Sequence, residues 1–155
     1  MSRKPLGSQL KVEWPRQGRV NKTVRRIPPS STVSLRYEKT SERLQAVEYE
    51  EHADTIYFKP KDNNTRTIGY VRFNLHQHKK ELNIDFLEVY KPFRKNDYGR
   101  EIYQWTENRA KEKGIKKITV ISLEEAVGFW KKMGLKRGVW SKPGYMSMVK
   151  ALSDS

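Results

Sequence analysis

The stretch from Leu87 to Leu135 narrows most what this chain can fold into. An apolar strand pattern ends at Val89 and runs into a basic turn, Lys-Pro-Phe-Arg-Lys-Asn-Asp, from Lys91 to Asp97. From Tyr98 the spacing becomes helical, with Tyr98, Ile102 and Trp105 on one face and Gly114 as the natural stop. Ile115 to Ser122 returns to a short strand of the buried kind. Glu124 and Glu125 open a second helix, where acids suit the N-terminal dipole. Ala126, Val127, Phe129, Trp130 and Met133 supply its apolar face, and Gly134 ends it. This order builds a mixed sheet with a helix after its central strand.

Upstream the pattern is β-like. Val33, Leu35 and Tyr37 alternate with polar residues and predict a first strand from Thr32. Ser41 to Glu51 fits neither the strand nor the helix period. Thr55 to Lys59 and Ile68 to Leu75 are rich in β-branched and aromatic residues, and the Lys61-Asp-Asn-Asn turn between them predicts a hairpin. A turn follows from His76 to Lys80. Glu81 to Tyr90 carries Leu82, Ile84, Phe86, Leu87 and Val89, dense enough to predict burial on both faces. Leu135 to Trp140 and Tyr145 to Leu152 predict a closing hairpin across Lys142-Pro-Gly. The expected class is α+β: a mixed, mostly antiparallel sheet flanked by helices, forming one domain over residues 32–155.

Residues 1–31 differ from that domain. Arg3, Lys4, Lys11, Arg16, Arg19, Lys22, Arg25 and Arg26 face a single acid, Glu13, while Pro5, Pro15, Pro28 and Pro29 break any helix. This composition predicts a basic arm that is extended or disordered. Over the whole chain, 32 Lys and Arg oppose 18 Asp and Glu, for a net charge of +14. Such a charge favours anionic partners, and basic arms track phosphate backbones, so nucleic acid is an expected partner. The absence of Cys excludes disulfides, thiol catalysis and Cys-based zinc sites. With His76 and His78 in a Lys-rich turn and His52 isolated, no metal site is expected. No apolar run is long enough to span a bilayer and the polar N-terminus resembles no secretory signal, so the expectation is a cytoplasmic protein without a membrane partner.

Chemistry is expected at the turn from Arg94 to Arg100. A helix N-terminus offers unpaired N–H groups and the positive end of a dipole, which together make an anion site. Gly99 lets the backbone approach a ligand closely, and Arg94, Lys95 and Arg100 add charge suited to a pyrophosphate.

This arrangement resembles the GNAT superfamily of acetyl-CoA-dependent N-acetyltransferases over roughly Thr32 to Leu152. The family's cofactor signature is Arg or Gln, two residues, Gly, one residue, then Gly or Ala. Arg94, Lys95, Asn96, Asp97, Tyr98 and Gly99 occupy that frame. An aromatic pair shortly before Lys-x-Gly-Phe, the second signature, is matched by Phe129, Trp130, Met133, Gly134 and Leu135. The resemblance implies acetyl-CoA as cofactor, held by Val89, Arg94, Lys95, Asn96, Asp97, Tyr98, Gly99, Arg100, Phe129 and Trp130. It also implies a carboxylate base on the strand before the turn. Glu88 and Asp85 are the candidates, expected on opposite faces because strand side chains alternate, with Glu88 preferred as nearer the expected bulge.

The chain departs from the pattern at three positions. Asp97 stands where the family has its first glycine, and as an N-cap its carboxylate would occupy donors that a pyrophosphate needs. Leu123 stands where the family often has Asn, and Trp130 where it often has the Tyr that protonates the leaving thiolate. Tyr145 is the candidate replacement for that acid. The implied function is transfer of acetyl from acetyl-CoA to an amine on a protein, a nucleic acid or a small molecule. A macromolecular acceptor is favoured, because the short segment after the first strand leaves little room for helices over the acceptor groove. The rival reading is a GNAT-like scaffold without catalysis, binding nucleic acid or a large assembly through its basic arm and surface.

Overall fold

The computed structural model describes residues 6–8, 11–12, 34–39, 43–49, 52, 54–61 and 66–153. Within the expected arm, β1 (Leu6–Ser8) and β2 (Lys11–Val12) form a short antiparallel pair. The rest of the arm lies outside the described residues, as do Thr32 and Val33 of the expected first strand.

The main sheet is built from β3 (Ser34–Lys39), β4 (Leu44–Tyr49), β5 (Thr55–Pro60), β6 (Gly69–His76), β7 (Glu81–Val89), β8 (Lys117–Leu123), β9 (Lys136–Lys142) and β10 (Tyr145–Ala151). Its order is β3-β4-β5-β6-β7-β8-β10-β9. Neighbours are antiparallel except β7 and β8, which run parallel. A parallel pair needs a crossover, and helix α1 (Tyr98–Glu112) supplies it. Helix α2 (Val127–Lys132) follows β8 through a single 3₁₀ turn, Glu124–Ala126, so the acids expected to open that helix sit in the turn before it. Gly114 and Gly134 close the two helices at φ +76° and +102°, a conformation that glycine adopts without a Cβ penalty. The mixed α+β sheet expected from the sequence is the fold observed. No helix among the described residues is long and apolar enough to cross a membrane.

The helices lie against one face of the sheet. There Leu44, Ala46, Ile56, Phe58, Val71, Leu82, Ile84, Leu87, Val89, Ile118, Val120 and Met148 pack on Ile102, Tyr103, Trp105 and Trp130. The other face carries a separate cluster of Val47, Tyr49, Tyr57 and Tyr70 with Phe86 and Tyr90 against it. Four of these tyrosines form a cross-strand row, with ring centroids 5.5, 6.0 and 6.1 Å apart from Tyr49 through Tyr57 and Tyr70 to Tyr90. β4 contributes to both clusters, which explains why Ser41 to Glu51 matched no single period. β8 departs from the fully buried strand expected: Ile118, Val120 and Ser122 point inward while Ile121 is exposed.

Candidate active site

The phase of β7 changes once along its length. Leu82 and Ile84 enter the helix-side core, and so do Leu87 and Val89, although even and odd positions should face opposite ways. The pairing with β6 shows the cause. Arg72 faces Phe86 and Phe73 faces Ile84, so Asp85 is an extra residue in the ladder, a β-bulge. Asp85 and Glu88 therefore share the face opposite the helices, which corrects the expectation that they lie on opposite faces. The bulge is at Asp85, not beside Glu88, which corrects the reason for preferring Glu88.

The bulge coincides with an opening in the sheet. β7 and β8 pair from Glu81–Lys117 to Ile84–Val120 and no further, while β7 continues against β6 and β8 against β10. Beyond Ile84 and Val120 the two parallel strands part, and the short β1–β2 pair lies against β7, β8 and the Glu124–Ala126 turn at this gap. Asp85 stands at its closed end. Its carboxylate accepts from Asn74 Nδ2 at 3.0 Å and lies 3.8 Å from Arg72 Nε, which also contacts Asp54 at 3.0 Å. Burial holds the Asp85 carboxyl above its ordinary value of 3.8, against the lowering effect of Arg72 and Asn74. Glu88 is more enclosed than Asp85, and its Oε2 lies 3.6 Å from an Arg94 guanidinium nitrogen.

At the open end of the gap, the turn leads into α1. The backbone is left-handed at Lys95 (φ 71°) and Asp97 (φ 65°), a region that non-glycine residues enter at a cost of about 1 kcal/mol or more. Asp97 holds the N-cap position expected of it but its side chain bonds no backbone N–H of the helix. Its carboxylate turns outward, 2.8 Å from Arg100 Nε and 2.7 Å from a terminal nitrogen of the same guanidinium. This corrects the expected capping role: the first-turn N–H groups are not consumed by that carboxylate, and Arg100 offsets its charge.

Other residues of the turn serve its shape. Asn96 Nδ2 donates to the carbonyls of Phe93 (3.1 Å) and Arg94 (3.3 Å). Arg94 Nε donates to the Val89 carbonyl at 2.7 Å, so its guanidinium braces the end of β7 where simple charge for a phosphate was expected. A Cβ on Gly99 would sit 3.1 Å from the Phe129 ring and 3.9 Å from Val89 Cγ2. Gly99 therefore lets the start of α1 close on Phe129 and Val89. The Phe129 and Trp130 rings meet edge to face at 4.9 Å, but Trp130 is buried and packs on Tyr103. Its indole backs the site from the core. Tyr145 pairs with Leu123 across β8 and β10 and carries Lys142 Nζ 4.9 Å from its ring.

Three residues that sequence reasoning passed over shape this region. Gly69 lies beside the end of β7, where a Cβ would come within 2.2 Å of the Glu88 carbonyl oxygen. Arg72 joins Asp54 to Asp85. Arg43 reaches the turn from 53 residues away in sequence. The one signal available was the switch of apolar positions from even (Leu82, Ile84) to odd (Leu87, Val89), which Phe86 blurs.

A helix N-terminus with uncapped donors and flanking cations, beside the place where two parallel strands part, is an arrangement suited to an anionic, phosphorylated group. A model of the acetyltransferase (GNAT) family matches residues 22–135, and the chain belongs to that family. Solved structures agree on the fold. The chain is similar to GCN5 from Tetrahymena, with a TM-score of 0.58 at 15% identity, over 66% of this chain and 71% of that one. An acetyltransferase from Bacillus cereus gives 0.55 at 28% identity, over 63% and 71%. The PaiA N-acetyltransferase from Thermoplasma acidophilum, solved with coenzyme A, gives 0.55 at 15% identity, over 63% and 60%. No curated protein matches the chain.

Proposed function

We propose that this chain is an acetyl-CoA-dependent N-acetyltransferase whose acceptor is an amine on a macromolecule. The observation that carries this reading is the uncapped N-terminus of α1 at the mouth of the gap between β7 and β8. Family membership supports it. The donor set fits a diphosphate: first-turn N–H groups at residues 98–100, with Lys95 and Arg100 beside them. Asp97 does not spoil the fit, because its carboxylate is paired with Arg100. With β1 and β2 displaced from it, the backbone edge of β7 beyond Asp85 would hold the extended arm of the cofactor, and Phe129 would wall it near Gly99.

When bound, acetyl-CoA supplies an acetyl thioester. The chain's own residues prepare the amine that attacks it. Most amines are protonated at neutral pH, so a base at the gap is useful. Asp85 is the better placed carboxylate. It sits where β7 and β8 part, it is more exposed than Glu88, and burial keeps it a stronger base than an ordinary Asp. Glu88, drawn toward Arg94, serves the shape of the strand end. Tyr145 stands on the far side of β8 beside Leu123 as the candidate proton donor. The connection from β3 to β4 spans only residues 40–43, which leaves no length for a helix over that side of the groove. An open groove on a chain of net charge +14 suits an amine carried by an acidic macromolecule.

The test is release of free coenzyme A from acetyl-CoA by the full chain. Lysine-containing acidic peptides, aminated oligonucleotides and spermine would serve as acceptors. Release that depends on a macromolecular acceptor is the expected result. Release with spermine alone would overturn the acceptor class. No release above background with any acceptor would overturn transfer and favour the non-catalytic scaffold.

A further inference from the structure

We propose that Arg43 is a positioning residue for the cofactor turn, clamping it from outside in the conformation that binds the diphosphate. The inference deepens the proposed function and rests on that reading. Arg43 immediately precedes β4, at the sheet end where Leu44 pairs with Pro60. From there it makes three separate contacts with the turn and the start of α1. A terminal nitrogen donates to the Asn96 carbonyl at 2.8 Å. The same nitrogen contacts the Glu101 carboxylate in the first turn of α1. The guanidinium carbon lies 4.3 Å from the centre of the Tyr98 ring, a cation–π distance.

The placement of these contacts gives them a role. Asn96 stands between Lys95 and Asp97, the two residues held in the left-handed region. Neither is glycine, so the turn does not hold this shape by local preference. The Asn96 side chain ties the turn internally through the Phe93 and Arg94 carbonyls. Arg43 fixes the same residue to an element on the other side of the chain. A planar guanidinium can donate to a carbonyl, pair with a carboxylate and stack on a ring at once, whereas an ammonium cannot. Arg43 contributes no direct phosphate contact in this reading. It lowers the cost of ordering the turn before the ligand arrives.

The experiment uses full-length protein as wild type, Arg43→Met and Arg43→Lys, with coenzyme A as the probe. Amide hydrogen exchange at Arg94 and over residues 101–104, whose N–H groups are bonded in the turn and the start of α1, is measured first, without ligand. Arg43→Met should exchange about tenfold faster there while the strands of the main sheet keep their protection. Calorimetric titration should then show coenzyme A bound about tenfold more weakly by Arg43→Met, as expected for one lost ordering contact. Arg43→Lys should fall between the two. In turnover, the change should sit in the KM for acetyl-CoA, with kcat within about threefold of wild type. Unchanged exchange and unchanged affinity in Arg43→Met would overturn the clamp alone. Loss of protection across the whole sheet would also overturn it, because Arg43 would then be a general stabiliser. Wild type that binds no coenzyme A would overturn the proposed function and, with it, the clamp's purpose.

Discussion

Asp85 illustrates how one inserted residue sets the chemistry open to a strand. Counted back from Leu87 and Val89, strict alternation would turn its side chain toward the helix-side core. With the bulge, the carboxylate stands on the opposite face at the head of the gap, near Arg72 and Asn74. A base must be deprotonated to work. Because burial raises the Asp85 carboxyl above 3.8, the acidic limb of the kcat/KM profile should lie higher than for an ordinary Asp. Asp85→Asn should lower kcat/KM by ~10²-fold and abolish that limb, while Glu88→Gln should cost less than about tenfold. The reverse order of effects would return the base to Glu88. The same shift makes a stability statement. An acid whose folded pKa is raised is penalised when ionised, so the penalty is present above that pKa and relieved as pH falls through it. Thermal melts at neutral pH should therefore show Asp85→Asn no less stable than wild type, and a lowered Tm would contradict the assigned cause.

Gly69 is a purely steric residue at the same scale. Its missing side chain lets β6 meet β7 where a Cβ would come within 2.2 Å of the Glu88 carbonyl oxygen and 3.0 Å of Val89 Cα. Both obstacles are backbone, so neither can rotate away. Gly69→Ala should destabilise the fold toward the upper end of the ~1–3 kcal/mol typical of overpacking, measured by urea unfolding. A change under about 0.5 kcal/mol would mean that β6 and β7 slide freely here.

Among the elements, α1 is tied at both ends and in its middle. Glu107 accepts from Tyr103 Oη at 2.9 Å and from Lys150 Nζ at 2.7 Å, and Lys150 also donates to the Met133 carbonyl at 3.0 Å. One ammonium thus joins α1, the end of α2 and β10. Burial alone would raise the Glu107 carboxyl, but the bonds from Lys150 and Tyr103 and the Lys150 charge outweigh it and hold the group below 4.5. A depressed carboxylate stabilises the fold above its unfolded value, and that stability is lost as pH falls through the folded one. Lys150→Met should lower Tm at neutral pH, and its deficit against wild type should shrink once pH drops below about 4.5. A deficit that stays constant to pH 3 would show that Lys150 acts by packing alone.

Elements with one clear period were legible from sequence. α1 carries its apolar positions at helical spacing, and Gly114 ends it in the left-handed conformation that glycine favours. β4 was not legible because Leu44 and Ala46 enter one core while Val47 and Tyr49 enter the other. The turn from Arg94 to Arg100 was legible as the entry to α1, because its motif is contiguous. Its internal contacts were not: nothing local indicates whether Asp97 caps the helix or pairs with Arg100. Arg43 shows the harder limit, since its contact joins residues that only the folded sheet brings together.

Taken as a whole molecule, the sheet is held on one side by two helices and parts along a single seam, between β7 and β8. The turn into α1, the bulge and Tyr145 are distributed around that seam. In the proposed function, the uncapped start of α1 receives the diphosphate of the cofactor despite Asp97. The most direct measurement follows the backbone amide resonances of the full chain as coenzyme A is added. Saturable shifts should concentrate at residues 95–100, with smaller ones along β7 from residue 85 and at Phe129. In Asp97→Gly the same amides should shift at lower coenzyme A concentration, because a carboxylate near the phosphates is gone. Amides at 95–100 that stay unmoved at millimolar coenzyme A, or shifts centred elsewhere on the chain, would contradict the claim.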